Sequence, residues 1–530
     1  MKKNLASKAK VMFVNKWIDL STDGLFECNL VKSSLYSDFS LVIDIYDLDN
    51  QVHPEGHLGW WKFPIVELDE KIKGSLKLNK KNVSVSLGKR QPCDKWLNNN
   101  NMNFKRLVVN VVLRSNITNA IIYLDKIPAF KSASDYLIFQ QKFRRNWQSP
   151  SYASAGYILP QHTTIRLVSR NIFLKDAVGI FCLEIYRALK QNNIPVELYA
   201  EEYELSLNDF INKIDLIYDD ATSNDQLLFF MSTFDPSLNN LLDLPFSRRV
   251  VYFHGITPPK FFQVFEFEFS NILQKAYEQI ALLNEFDAIA VNSNATAEVL
   301  GSLIKEDSST YLRKIRIIPP KMISPDDLRY ISNDLKMKIE KNISNKNTRF
   351  LYVGRIKSHK RIEDLLYFLS FYLEIDPKAE LWIVGGGHNK AYQDYLNWVQ
   401  NQKLKLPSHK VKWFGVVEDD DLSKIYGSAS AYISMSEHEG FCLPIFEAML
   451  AGIPVFAFGL PVIRELLSGA GVYFANKDFE QIAQTINHSL NDSTKRRRII
   501  EKQFLRALEL AKLMDGQAIL NLLSPEVHSF

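Results

Sequence analysis

Two doubly wound α/β halves preceded by a β-rich segment are the architecture this sequence predicts. Three observations carry it. Short apolar runs separated by turn-forming clusters fill residues 1 to about 145. From about 160 to 320, strand-like runs alternate with amphipathic helices. That alternation starts again at about 348. A chain of 530 residues is too long for one core, so about three domains are expected.

The first segment carries Ser40–Tyr46, Asn82–Leu87, Leu107–Leu113 and Ala120–Leu124, with breaks such as Asp47–Asn50 and Asn98–Asn101. Strands so spaced predict a β-sandwich or jelly roll over 1–145. The run Ala120–Ile127 resembles the last strand of jelly-roll carbohydrate-binding modules. Trp60, Trp61 and Trp96 are a candidate sugar-stacking surface, with core or interface aromatics as the plainer reading.

The next segment reads as a Rossmann-like half over 160–320. Its expected strands are Thr164–Val168, Val196–Tyr199, Asp215–Tyr218, Arg249–Phe253 and Ala288–Val291, with a helix over Gly179–Leu189. Residues 321–347 are rich in Lys, Asn, Asp and Ser and read as a linker with some helix. The last half, 348–500, offers strands at Phe350–Val353, Leu381–Val384, Val411–Phe414, Ala431–Ser434, Val455–Phe458 and Val472–Phe474. A helical run such as Ile362–Leu369 follows most of them, and 501–530 reads as a C-terminal helix and tail. Two such halves imply a cleft between the carboxyl ends of their sheets, where ligands of these folds bind.

Composition narrows the function. A net charge of +4 gives no argument for nucleic acid. Cys28, Cys93, Cys182 and Cys442 are scattered without ligand spacing, as expected of free thiols in a reducing cytoplasm. The basic start Met1–Asn4 leads into no apolar signal region, and no apolar run is long enough to span a membrane.

The chemistry gathers at strand ends of the last half. Gly354 closes a strand, and Arg355 and Lys360 follow it with a fork of donors and a point charge suited to phosphates. A helix beginning near Arg361 adds a positive end. A basic loop is more often a solvated surface; its place at a strand end, upstream of paired carboxylates, argues otherwise. Those carboxylates are Glu439 and Glu447, eight residues apart, one on a loop and one on a helix. Between them lie Gly440, Phe441 and Leu443. Fixed carboxylates hold polyol hydroxyls well. The loop Val384-Gly385-Gly386-Gly387-His388 is a weaker signal, since glycine runs often mark only a turn. Main-chain groups around Val416, after the next strand, are candidates for contact with a nucleotide base. In the first half, His254 ends a strand; it is either a structural histidine or a ligand for a hydroxyl. Asp176 opens a helix there, as an N-cap or as part of a loop over the substrate.

Residues 160 to about 515 resemble the retaining GT-B glycosyltransferases of family four. Gly354-Arg355 with Lys360 looks like the family's diphosphate-binding pair. Glu439 through Glu447 looks like its E-x7-E element, continued by Ala451–Val455 and Pro461–Glu465. His254–Pro258 resembles its histidine segment in the form seen among bacterial surface-polysaccharide enzymes, and Asn292-Ser293 matches a further element. The resemblance implies a hexosyltransferase in surface polysaccharide (lipopolysaccharide-type) synthesis. Its donor would be a nucleotide-diphosphate sugar. Its acceptor would be a glycan or lipid-linked oligosaccharide. No cofactor and no metal are expected, because the cations take that place. Arg355 and Lys360 would neutralise the leaving diphosphate, Glu447 would hold the ribose, and Glu439 the donor sugar. His254 would bind a sugar hydroxyl and support the transition state. Gly354, Gly385, Val416, Gly440, Phe441 and Leu443 would line the donor site. The chain departs from the family in two places. Ser169–Phe173 has no glycine, leaving Gly179 nearest, and Cys442 replaces the usual glycine of E-G-F-G. The alternatives are a sugar phosphorylase or nucleotide-sugar epimerase on the same fold, or a non-catalytic glycan-binding protein. A lipid-linked acceptor would bring peripheral membrane contact through the basic run Lys495–Arg498; a solvated helix packed back across the domains is the other reading.

Overall fold

The computed structural model describes ten strands within residues 11–130, and then residues 163–304, 311, 313–321, 335–344, 348–387, 389–514 and 517–523. The chain divides into two compact units. One is Met1–Ser149 with Glu204–Phe210, and the other is Pro150–Tyr203 with Ile211–Phe530.

The first unit contains two sheets. In spatial order, one sheet runs Val11–Phe13, Leu25–Leu30, Lys71–Asn79, Asn82–Leu87 and Cys93–Trp96; the other runs Ile18–Asp19, Ile121–Phe130, Arg106–Ser115, Phe39–Asp47 and His57–Pro64. Each strand expected there lies within or overlaps one of these. The side chains of Trp60, Trp61 and Trp96 lie outside the described residues.

The second unit holds two parallel sheets. The first is built from β1 (Ile165–Ile172), β2 (Val196–Tyr203), β3 (Ile211–Lys213), β4 (Gln226–Met231), β5 (Arg248–Phe253), β6 (Ala288–Val291) and β7 (Ile315–Ile317). Their order is β3-β2-β1-β4-β5-β6-β7. The second is built from β8 (Arg349–Val353), β9 (Glu380–Val384), β10 (Val411–Gly415), β11 (Ala431–Ser434), β12 (Val455–Phe458) and β13 (Val472–Phe474), in the order β10-β9-β8-β11-β12-β13. Both orders reverse direction beside their first strand, and a ligand crevice forms at such a switch point. Central strands such as β4, β6 and β11 are buried along their whole length, as parallel strands covered by helices must be.

One expected strand is corrected. Asp215–Tyr218 forms a 3-10 turn running into a short helix. Ile214 and Ile217 are its buried residues, and their spacing of three is helical. The strand that occupies the sheet is β4, whose Leu-Leu-Phe-Phe-Met run is wholly buried. All six strands expected in the last half are found.

The helices that position the site start with α1 (Ala177–Gln191), α2 (Phe267–Gln279) and α3 (Asn294–Leu303) in the first half. The linker contributes α4 (Leu335–Ser344). The last half adds α5 (Ile362–Ile375), α6 (Lys390–Trp398), α7 (Asp419–Tyr426), α8 (Leu443–Leu450), α9 (Pro461–Leu467), α10 (Phe479–Asn491), α11 (Ser493–Ala511) and α12 (Gln517–Leu523). The boundary expected at residue 501 therefore falls inside α11. Among the described residues no helix is long and apolar enough to cross a membrane.

Candidate functional site

Three strand-end glycines form the floor of the site in the last half. Gly354 N donates to Val384 O, Gly385 N to Gly415 O, and Ile356 N to Gly386 O, at 2.8–3.0 Å. These bonds lay the ends of β8, β9 and β10 side by side. Gly385 has φ +133°, and a Cβ there would stand 1.9 Å from Gly354 O. No side chain fits, so glycine is required by contact as well as by conformation. Val416 follows on the rim and is 61% exposed, with Trp413 and Phe414 half-exposed beside it.

The cations stand just beyond that floor, and each is held by a carboxylate. Lys360 Nζ donates to Glu439 Oε2 at 2.7 Å, with side chains only 17% and 8% exposed. Arg355 is far more open, at 62%, and its Nη2 pairs with Asp176 Oδ1 of the other half. Asp176 is also the N-cap of α1, accepting from Gly179 N at 3.2 Å. Asp176 is therefore the N-cap expected, and its second oxygen reaches across to Arg355. Lys175 beside it reaches Val417 O at 3.3 Å and Glu418 at 3.4 Å. Gly179 lets α1 start close against β1, since a Cβ there would lie 2.7 Å from Phe173 N and O.

Glu439 sits on the loop and Glu447 in α8, as their spacing suggested. Glu447 Oε2 accepts from Tyr426 OH at 2.9 Å. Burial lifts the Glu447 carboxyl above the usual range, while the Tyr426 bond and the Lys321 charge pull it down. Leu443, partly buried, begins α8, and Phe441 is buried beneath it. Cys442 is buried in the left-handed region, at φ +73°. That backbone explains why glycine would be the easier residue there.

The glutamate loop touches the first half directly. A Cβ on Gly440 would meet His254 O at 2.6 Å and Asn292 Nδ2 at 2.7 Å. Asn292 Nδ2 donates to His254 O at 2.9 Å, and Ser293 Oγ donates to Gly440 O at 3.3 Å. His254 therefore lies one residue's contact away from Glu439. Its ring packs among Phe181, Phe230 and Tyr252, with Tyr252 nearest at 4.5 Å between centroids. Its Nε2 is buried with no hydrogen-bond partner among the described residues. Burial pushes its pKa down to about 3, so the ring is neutral at physiological pH.

Two further contacts join the halves. Glu465 of α9 takes the amino end of α3: its Oε1 accepts from Asn294 N and Nδ2 at 2.8 Å, and its Oε2 from Ala295 N at 2.9 Å. A carboxylate there meets free amides and the positive end of the helix. The segment Pro259–Glu266 docks on the last half through Ser358–Phe261 and Lys357–Glu266 bonds. Phe265 packs 5.1 Å from Tyr392, and its carbonyl accepts from Asn389 at 2.8 Å. Tyr426 and Glu266 had no visible signal in the sequence beyond their ordinary residue types, and the segment ending at Glu465 stood out without revealing this contact. Among the described residues no group of three or more His, Cys, Asp or Glu is placed to hold a metal ion.

The buried histidines set an acid sensitivity. His438 is lowered to about 4 by burial, with Lys360 adding to the shift and Glu439 opposing it. His359 is lowered as well, by burial and then Lys360. A folded pKa below the unfolded value of about 6.5 means the unfolded chain binds protons first. Stability from these three groups is therefore complete above about pH 6.5 and falls as pH drops toward 4, by at most about 1.4 kcal/mol per unit for each. His438→Asn should flatten the fall in urea midpoint between pH 7 and 5; an unchanged slope would remove His438 from the account.

Two facing doubly wound halves, with cations and carboxylates on the loops between them, are the GT-B arrangement. Residues 334–506 match the family model described as Glycosyl transferases group 1, so the last half carries a domain of that kind. The chain is 29% identical over 144 residues to the O-antigen chain mannosyltransferase B of Escherichia coli, covering 27% of this chain and 37% of that protein. It is 28% identical over 201 residues to the mannosylfructose-phosphate synthase of Agrobacterium fabrum, covering 37% and 42%. The matches thus span about two-fifths of these relatives. Among solved structures, HepE of Anabaena in complex with UDP and glucose superposes with a TM-score of 0.50 at 18% identity, over 68% of this chain and 99% of that one. That likeness shows the fold.

Proposed function

We propose that this protein is a retaining glycosyltransferase that moves a hexose from a nucleotide-diphosphate donor to a glycan or lipid-linked glycan acceptor in surface polysaccharide synthesis. The observation that carries this reading is one cluster. Lys360 pairs with Glu439, Arg355 follows the Gly354 strand end, and Glu447 is fixed on α8, all within the segment that matches group 1 glycosyl transferases. Mannose in the names of both curated relatives makes a mannosyl donor the first to test.

The chemistry follows from charge. As the bond from the sugar's anomeric carbon to phosphate breaks, negative charge grows on the diphosphate. Arg355 and Lys360 are the groups to offset it, as fixed charges placed where the anion develops. The acceptor hydroxyl attacks from the same face, and its proton passes to the departing phosphate oxygen, which preserves the anomeric configuration. Neutral His254 offers a hydrogen bond without a competing charge. Glu439, released from Lys360 as phosphate arrives, takes a sugar hydroxyl, and Glu447 takes the ribose. This set needs no resident metal or cofactor. A phosphorylase, an epimerase or a glycan-binding protein gains no support from the relatives.

Thermal-shift titration against nucleotide sugars, GDP-mannose among them, identifies the donor. Glu447→Gln should then weaken donor binding by about 10- to 100-fold, the loss of a hydrogen bond to a charged acceptor. Undiminished donor affinity and turnover in that variant would sink the assignment.

A further inference from the structure

The basic run Lys495–Arg498 does not act as one surface. Arg497 pairs with Glu340 at 2.7 Å, while Arg496 turns inward and is only 6% exposed. Arg496 Nε donates to Asn342 Oδ1 at 2.8 Å; its Nη1 and Nη2 reach the carbonyls of Leu490 and Ser430 at a long 3.5 and 3.4 Å. Every one of these acceptors is neutral, and among the described residues no carboxylate pairs with this guanidinium. A buried cation without a counter-charge is costly to keep in place. Burial lowers this one to about 10, so it still carries its charge at neutral pH.

Arg496 lines a cavity of about 280 Å³ together with Thr348, Ser430, Asn491 and Ser493, and no Asp or Glu is among its lining residues. Ser493 is the first residue of the 19-residue α11, so the positive end of a long helix opens there too. Asp492, the N-cap, turns its Oδ1 to Lys495 N at 2.9 Å. Thr348 and Ser430 directly precede β8 and β11. The cavity is therefore at the amino ends of the sheet, opposite the strand-end glycines.

We propose that this cavity is a second ligand site, which takes a phosphorylated sugar. The phosphate sits on Arg496. The hydroxyl and amide groups of Thr348, Asn491 and Ser493 take the sugar. A phosphate alone would leave most of the volume unfilled. The site stands apart from the donor cleft, so it does not depend on the reading of that cleft.

The test is calorimetric titration of the full chain with inorganic phosphate and, separately, with a hexose 6-phosphate. Wild type and Arg355→Ala should bind the hexose phosphate alike, and more tightly than phosphate. Arg496→Gln should lose about tenfold or more in affinity, as removal of a charge-assisted contact does. Ser493→Asp guards against misfolding: a carboxylate in the first turn of α11 favours the helix but repels the ligand, so it should fold and still fail to bind. No heat from wild type, or full binding by a folded Ser493→Asp protein, would overturn the proposal. Equal affinity for phosphate and hexose phosphate would overturn its sugar component. Loss of binding in Arg355→Ala with retention in Arg496→Gln would move the ligand to the cleft and end it.

Discussion

Lys360→Ala is expected to lower turnover by about 10²- to 10³-fold, the usual loss when one preorganised charge at a developing anion is removed. The same change strips Glu439 of its cation in a nearly buried setting. Removing one partner of a buried pair costs about 3–5 kcal/mol, and the remaining exposure of Lys360 puts this case at the lower end. The two effects separate in the double variant Lys360→Ala/Glu439→Gln. It should recover most of the stability, because no charge is left unpaired, and none of the turnover. Nucleoside diphosphate release in the presence of acceptor reads the first effect, and urea denaturation reads the second. A double variant that regained activity would show that Lys360 serves only to neutralise Glu439.

Gly385→Ala should be the most damaging glycine substitution in the last half. The added carbon would meet Gly354 O at 1.9 Å, backbone against backbone, in a conformation that L-residues avoid. Overpacking of that kind costs about 3 kcal/mol or more. Two neighbours calibrate the figure. At Gly386 the nearest atom is Val416 Cγ2, at 2.9 Å, on an exposed side chain that can turn away. At Gly415 nothing lies within 4 Å, and the cost is that of φ +67° alone, about 1 kcal/mol. Urea midpoints should therefore fall in the order Gly385→Ala, then the other two. A Gly385→Ala protein as stable as Gly415→Ala would mean that β8 and β9 separate freely at their ends.

The sequence displays the last half better than the first for a physical reason. Strands buried on both faces read as continuous apolar runs, and glycines close β8, β9 and β12. Asp215–Tyr218 imitates such a run, but it is short and is flanked by acids that fit a helix start. The site divides in the same way. Arg355, Lys360, Glu439 and Glu447 lie in one half, in a compact order, and their residue types announce anion and polyol binding. Their partners do not. Asp176 meets Arg355 across 179 residues, and Glu465 meets Asn294 across 171. No local spacing encodes such pairings. The same holds for Arg496, which reads as one more surface charge until the packing of α4 and α11 encloses it.

The two edges of the cleft are held by different forces. At the Asp176–Arg355 edge the guanidinium is mostly in water, and a pair of that kind is worth about 1 kcal/mol or less and weakens in salt. At the Pro259–Glu266 edge, Phe265 is wedged among Tyr392 and Tyr395, and apolar contact of that kind is insensitive to ionic strength. Raising the salt concentration thus loosens the first edge more than the second, where the ion pair Lys357–Glu266 is largely buried and little screened. The cleft behaves like a book whose spine is glued and whose clasp is magnetic, and buffer composition acts mainly on the clasp.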